Sequence, residues 1–156
     1  MTETIDVKFV ASDSKEIKAR ALFVADLAVR TYLPFAVETL CSTAIADTIR
    51  KLPPINSEKS GEHAGDIVEK ICMAISNDDD SGLIPFCEAS WAARYAAHAQ
   101  DCEGDDMLRN AALAVLNAAM VAVQGCDFAA ATKLLMFFPV DMETVRQQIA
   151  MAQPHA

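Results

Sequence analysis

Apolar and polar residues follow two different rhythms along this chain of 156 residues. Residues 5–9 alternate with period two, which predicts a short strand or an extended N-terminal arm over residues 1–12. From Asp13 onwards, apolar residues recur every three or four positions, the spacing of helices that bury one face. The pattern predicts an all-α fold, a single-domain bundle of about six to seven helices over residues 13–152.

Proline, glycine and capping residues set the predicted helix boundaries. The predicted helices cover residues 14–32, 34–51, 62–76, 83–100, 106–124 and 128–138, with a seventh helix after Asp141. Pro34 is expected to break or kink the first run, because proline lacks an N–H and clashes with the preceding turn. Residues 52–61 are predicted to form a loop. Gly125 is expected to end one helix and Asp127 to cap the next.

The segment GCDFAAATKLL, residues 125–135, resembles the turn and second helix of a tetratricopeptide repeat. The resemblance covers about one helical hairpin. The sequence has no second copy at the 34-residue period, whereas an array needs about three repeats. The segment therefore predicts a generic helical hairpin.

Three apolar segments indicate how the bundle packs. Residues 84–98 carry large side chains at helical spacing, which are Ile84, Cys87 or Glu88, Trp91, Tyr95 and His98. We expect this stripe to pack in the core, the alternative being a pocket for an aromatic ligand or cofactor. Residues 111–123 are apolar on most sides and predict a central helix. Residues 134–140, LLMFFPV, exceed one helix face, so a homodimer contact or partner groove is an alternative to a core position.

The net charge of −9 is concentrated in one stretch of the chain. Residues 61–106 contain eleven acidic residues and two basic ones, Lys70 and Arg94, and the rest of the chain is balanced. Such a surface repels polyanions and anionic lipid headgroups. Nucleic acid and membrane are therefore excluded as expected partners.

An antiparallel hairpin of the predicted helices 62–76 and 83–100 would gather acidic side chains at one pole. The residues predicted to bind a partner are Glu62, Asp66, Glu69, Asp101, Glu103, Asp105 and Asp106. The favoured hypothesis is a non-catalytic interaction protein that docks a basic protein partner, as immunity and inhibitor proteins do. The alternative is a solvated face that keeps an apolar-rich protein soluble.

Residues 77–88, NDDDSGLIPFCE, fit the calcium-loop pattern D-x-[DN]-x-[DN]-G-x5-E in part. The candidate ligands are Asn77, Asp79, Ser81, the Leu83 carbonyl and Glu88. Only two of them are carboxylates, and Pro85 occupies the ninth place. The competing interpretation is an acidic turn in which Asp80 or Ser81 caps the following helix. Calcium or ligand binding by a helical protein is the alternative function.

Other candidate chemistry is sparse. His63, His98 and Cys102 would lie at one pole of the hairpin and form a weak zinc candidate. The five cysteines, which are Cys41, Cys72, Cys87, Cys102 and Cys126, lack metal or redox spacing and are expected to behave as small buried hydrophobes. No cofactor is predicted.

The sequence contains no P-loop, G-x-S-x-G elbow, dinucleotide fingerprint or H-E-x-x-H motif. An enzyme that uses a reactive thiol is the remaining catalytic hypothesis. The N-terminal residues lack the pattern of a secretory signal, so we expect a cytoplasmic protein.

Overall fold

The computed structural model describes residues 14–40, 43–75 and 83–136. These residues are 88% helical and contain no strand, which confirms the predicted all-α bundle. The predicted strand at residues 5–9, the arm over residues 1–12 and the helix after Asp141 lie outside the described residues.

The helices follow one another through short connections. They are α1 (Ser14–Leu27), a π-helical segment (Ala28–Tyr32), α2 (Leu33–Leu40), α3 (Thr43–Arg50), α4 (Glu58–Ile75), α5 (Ile84–Gln100), α6 (Gly104–Gln124) and α7 (Phe128–Met136). α4 begins at Glu58, earlier than predicted, because two serines cap it reciprocally. The Ser60 N–H donates to Ser57 Oγ at 3.1 Å, and the Ser57 N–H donates to Ser60 Oγ at 3.0 Å. This is a capping box with serine where glutamate is more common.

Pro34 does not end the first helical run, so of the two predicted outcomes, a break or a kink, the break does not occur. The chain stays helical from Ser14 to Leu40 through the π-helical segment. The Leu33 N–H donates to the Ala28 carbonyl, five residues back, as in a π-helix. Pro34, the next residue, has no N–H group that needs an acceptor. The wider π-helical turn relieves the clash of its ring with the preceding carbonyls.

α6 is the central helix, as predicted. It packs against α1, α5, α7 and the π-helical segment. Its buried side chains include Met107, Val115 and Val121. Within the described residues, α6 alone is long and apolar enough to cross a membrane by length and composition, and 56% of its most apolar window is buried in the bundle. Here it forms the core of the bundle.

The turn between α6 and α7 contains both the helix end predicted at Gly125 and the helix cap predicted at Asp127. Gly125 ends α6, and Cys126 takes the left-handed conformation with φ 64°. Asp127 caps α7, because its Oδ1 accepts the Ala130 N–H at 3.1 Å. Leu134 is buried in the core. The rest of the predicted dimer or partner segment, from residue 137 onwards, lies outside the described residues.

α4 and α5 form an antiparallel pair in close contact. A Cβ at Gly61 would lie 3.1 Å from Ala97 Cβ, and a Cβ at Gly65 would lie 2.9 Å from Arg94 Cγ. The Ser90 hydroxyl donates to the Gly65 carbonyl at 3.1 Å. The glycines, one turn apart on α4, therefore let the α5 backbone approach to a distance that larger side chains would prevent.

Candidate functional site

Most of the stripe of large side chains on α5 faces outward, so the expectation that it packs in the core is wrong for those residues; Tyr95 alone among its aromatic residues is partly buried and packs against the core. Trp91 is 49% exposed and Ile84 43% exposed, and Cys87 and His98 are also exposed. The opposite face is buried and consists mainly of small residues, among them Ala89, Ala92, Ala93, Ala96 and Ala97. Neighbouring helices lie so close to α5 that this face has room for little more than methyl groups, and the bulky residues remain outside.

Trp91 is half-exposed but is held in place by two neighbours on the same helix. Its ring centroid lies 5.5 Å from that of Tyr95, with 31° between the ring planes. The Arg94 Cζ lies 5.9 Å from the Trp91 ring centroid, within the range of a cation–π contact. The indole is therefore an exposed apolar surface that contacts both neighbours.

Arg94 links Trp91 to the acidic residues of α4. Its Nη2 donates to Asp66 Oδ1 at 2.8 Å and to Glu69 Oε1 at 2.6 Å. Its Nη1 donates to the Ser90 hydroxyl at 2.8 Å. Two of the predicted partner-binding residues are thus paired within the chain. Their side chains remain 64% and 52% exposed, and two carboxylates share one guanidinium, so the cluster keeps a negative charge.

A groove of about 120 Å³ lies between α4 and α5. It is lined by Glu69, Cys72, Phe86, Cys87, Ser90, Trp91 and Arg94. Cys87 is exposed there, and Cys126 is exposed in the α6–α7 turn, so the expectation of buried thiols is wrong for both. Both thiols are exposed because of where they lie: Cys87 belongs to the outward stripe, and Cys126 lies in a tight turn. Cys41 lies outside the described residues.

The acidic pole, defined here as Glu58, Glu62 and Asp101, brings together the start of α4 and the end of α5. A hydrogen bond with Asp101 raises the pKa of the Glu58 carboxyl, the negative charges of Asp101 and Glu62 raise it further, and His98 opposes the shift. The predicted hairpin therefore gathers acids at this pole. Sequence reasoning missed Glu58 because it assigned residues 52–61 to a loop. The reciprocal capping pair of Ser57 and Ser60 is the sequence feature that could have indicated the earlier start of α4.

The other predicted partner-binding residues lie where α6 begins. Glu103 pairs with Lys18 of α1, with Nζ and Oε2 2.6 Å apart. Asp106 lies 3.9 Å from Arg109, which is a weak exposed pair. Asp105 is exposed and makes no ion pair within the described part of the chain. Part of the predicted acidic surface is therefore compensated by bases of the same molecule.

The metal hypotheses gain little from the described residues. Asn77, Asp79 and Ser81 lie outside them, as does Asp80. Leu83 forms the short turn before α5, and Glu88 is partly buried, which raises the pKa of its carboxyl. Among the residues that the structure describes, no three His, Cys, Asp or Glu side chains form a group that could hold a metal ion. The zinc candidates His63, His98 and Cys102 are among the described residues and form no such group.

Comparison with models of known protein families found no match. Comparisons with curated proteins and with solved structures found no match either. A function for this chain therefore rests on the geometry and chemistry of its own side chains.

Proposed function

We propose that this is a non-catalytic interaction protein that docks a basic protein partner through an acidic face. We define the acidic face as the outward surface of α4 and α5, comprising the acidic pole, Asp66, Glu69 and Trp91. The observation that carries the proposal is Trp91. It is half-exposed, ordered by Tyr95 and Arg94, and connected through Arg94 to carboxylates. Tryptophan is enriched among the residues that dominate binding energy at protein interfaces.

Charge supports the same proposal and indicates the partner's chemistry. The chain's entire negative excess lies between residues 61 and 106, which include most of α4 and all of α5. A concentrated field of one sign accelerates association with an oppositely charged surface and disfavours partners of like charge. An indole among carboxylates would also accept a lysine or arginine side chain of the partner through a cation–π contact.

The finer proposal is that the protein acts as an immunity or inhibitor protein. In that role the acidic face would cover a cationic surface that the partner needs for its own activity. Helices are suitable for this role because they hold charges at fixed spacing, and less conformational entropy is lost when the complex forms.

A pull-down from the native host's lysate, at low and at high salt, tests the proposal. We expect a basic protein to bind the wild type at low salt and to be lost at high salt, because screening weakens surface charge pairs. The double variant Glu62→Gln with Asp101→Asn removes two charges from the acidic pole and should reduce capture. Trp91→Ala should reduce capture at both salt concentrations.

The matched control is Ala129→Lys with Thr132→Lys, on the exposed side of α7. It changes the net charge by the same amount as the neutralised pole does, but away from the acidic face. If the control variant loses the partner as completely as the Glu62→Gln and Asp101→Asn variant does, only net charge matters and the acidic face is not the docking site. Unchanged capture by both the neutralised pole and Trp91→Ala would refute the proposal.

A further inference from the structure

A second concave region lies beside the π-helical segment and shares no residue with the acidic face. It is a cavity of about 400 Å³ that is widely open to solvent and is lined by Arg30, Thr31, Tyr32, Phe35, Arg50 and Asp127. This volume is within the range of small-molecule sites. We propose that the cavity binds an uncharged planar heteroaromatic compound with adjacent hydrogen-bond donors and acceptors, which is the chemistry of a free nucleobase or nucleoside.

The π-helical segment presents half of the lining. Arg30, Thr31 and Tyr32 all belong to it, and it adds a residue to the turn compared with an α-helix. Single π-helical turns within longer helices occur frequently at functional sites. The segment thus brings a guanidinium, a hydroxyl and an aromatic ring to one side of the cavity.

Phe35 supplies an exposed ring at the edge of the same cavity. The side chain is 52% exposed, although it belongs to a helix whose neighbouring residues are buried. A Cβ at Gly125 would lie 3.0 Å from Phe35 Cδ2, so glycine is the residue that lets the ring rest on the α6–α7 turn. With one edge supported and the ring half-exposed, Phe35 provides a stacking surface for a planar ligand.

The two arginines are fixed by carboxylates that leave other N–H groups available. Arg30 donates through Nε and Nη2 to Asp26, at 2.7 Å and 3.0 Å. The Nη1 of Arg50 lies 2.8 Å from Glu38 and 2.9 Å from Asp47. Within the described residues, this leaves Nη1 of Arg30 and both Nε and Nη2 of Arg50 without an acceptor. They are preorganised donors for ring nitrogens or carbonyl oxygens of a ligand.

Asp127 provides an acceptor among the lining residues. One of its oxygens caps α7, and its charge, together with the larger effect of burial, raises the pKa of Tyr32. A carboxylate near the ring can accept an exocyclic amino or ring N–H group of the ligand. The cavity therefore offers both donors and an acceptor, besides two aromatic rings.

The local ion pairs disfavour a charged ligand. The lining itself holds two guanidinium groups and one carboxylate, Asp127. Both guanidinium groups are already paired with carboxylates outside the lining, so an anionic ligand would have to compete with those ion pairs. A cationic ligand would lie directly against the guanidinium groups. The same reasoning disfavours a base within a polynucleotide, because its phosphates would approach the acidic surroundings.

Isothermal titration calorimetry of the full chain with the four common ribonucleosides tests the proposal. We expect at least one nucleoside to bind, and its 5′-monophosphate and a single-stranded oligonucleotide containing the same base to bind more weakly. Phe35→Ala should weaken nucleoside binding about 10-fold, the usual effect of losing one stacking ring. Phe23→Ala is the matched control, because Phe23 is 53% exposed on α1 and does not line the cavity.

Asp127→Asn is a second variant that does not depend on the stability of Phe35→Ala. Asparagine caps helices as well as aspartate does, so the variant should keep its helical circular dichroism. We expect it to lower the affinity for the nucleoside. It should also reduce the difference in affinity between the nucleoside and its monophosphate, because a negative charge is removed. Absence of binding by all four nucleosides, tighter binding of a monophosphate or oligonucleotide, or an equal loss in Phe23→Ala would each overturn the proposal.

Discussion

Phe86 and Trp91 are both large aromatic residues of α5, yet one is completely buried and the other is half-exposed. Five residues on a helix correspond to a rotation of about 140°, so the two side chains leave the helix in different directions, although both line the groove between α4 and α5. The side of Phe86 continues as alanines that contact α4 and α6. The side of Trp91 continues as Cys87 and His98, which are exposed, and Tyr95, which is partly buried against the core.

The difference shows that the space between helices, more than hydrophobicity, decides which face of α5 is buried. Gly61 and Gly65 bring α4 so close that bulky residues fit only where the helix begins, at Phe86. The remaining large side chains are displaced to the surface. There they stand beside carboxylates, and this combination is the basis of the proposed docking face.

Substituting each aromatic residue by alanine tests the contrast directly. Phe86→Ala should lower the free energy of unfolding by about 3–5 kcal/mol, because it leaves a cavity in the core. Trp91→Ala should lower it by less than about 1 kcal/mol, as is usual for surface positions. Urea denaturation followed by circular dichroism measures both. Equal losses would mean that the Trp91 face is as important for packing as the Phe86 face.

Enlarging an alanine on the buried face should also destabilise the protein. Ala97→Leu places a larger side chain against the Gly61 backbone and should lower the free energy of unfolding by about 1–3 kcal/mol. The control is Ala74→Leu on the exposed side of α4, expected to change it by no more than about 0.5 kcal/mol. Thermal unfolding compares the two variants. If Ala97→Leu is tolerated as well as the control, α4 and α5 are not held at the distance inferred from the glycines.

Removing the Arg94 guanidinium should affect the surface more than the stability. Arg94→Met loses the ion pairs with Asp66 and Glu69, which for exposed partners costs about 0–1 kcal/mol. Since Trp91 is the chain's single tryptophan, acrylamide quenching of intrinsic fluorescence reports on it alone. We expect quenching to increase in this variant and to stay unchanged in Arg109→Met. Identical quenching in all three proteins would show that Arg94 does not order the indole.

Substituting Glu88 should change the free energy of unfolding least of all, and the change should depend on pH. Burial raises the pKa of its carboxyl above the ordinary value of 4.5, so ionisation is more costly in the folded state than in the unfolded state. Its contribution to stability is fully present below pH 4.5 and is lost as pH rises through the folded-state pKa. Glu88→Gln should therefore be slightly more stable than wild type at pH 7.

The pH series is the check on that variant. Melting temperatures of wild type and Glu88→Gln, recorded between pH 4 and pH 7, should converge at the acidic end. A variant that is less stable than wild type at neutral pH would show that the ionised carboxylate makes a favourable interaction, as a metal ligand would.

Local sequence patterns were sufficient for the all-α class, the central position of α6, the antiparallel pairing of α4 and α5, and the Asp127 cap. Each depends on residues a few positions apart, through helical periodicity, capping or the length of a connection. Of the break or kink predicted at Pro34, the break does not occur, because a π-helical turn accommodates proline without ending the helix. The start of α4 was missed because serine replaced glutamate in its capping box.

The sequence by itself determined where most helices form and where the negative charge is concentrated. Only the tertiary structure decided which face of α5 is buried, that Glu58 joins the acidic pole, and that the π-helical segment meets the α6–α7 turn around a cavity. The physical reason is that burial depends on how closely two helix backbones approach. That distance is set by contacts such as Gly61 with Ala97, between residues far apart in the chain.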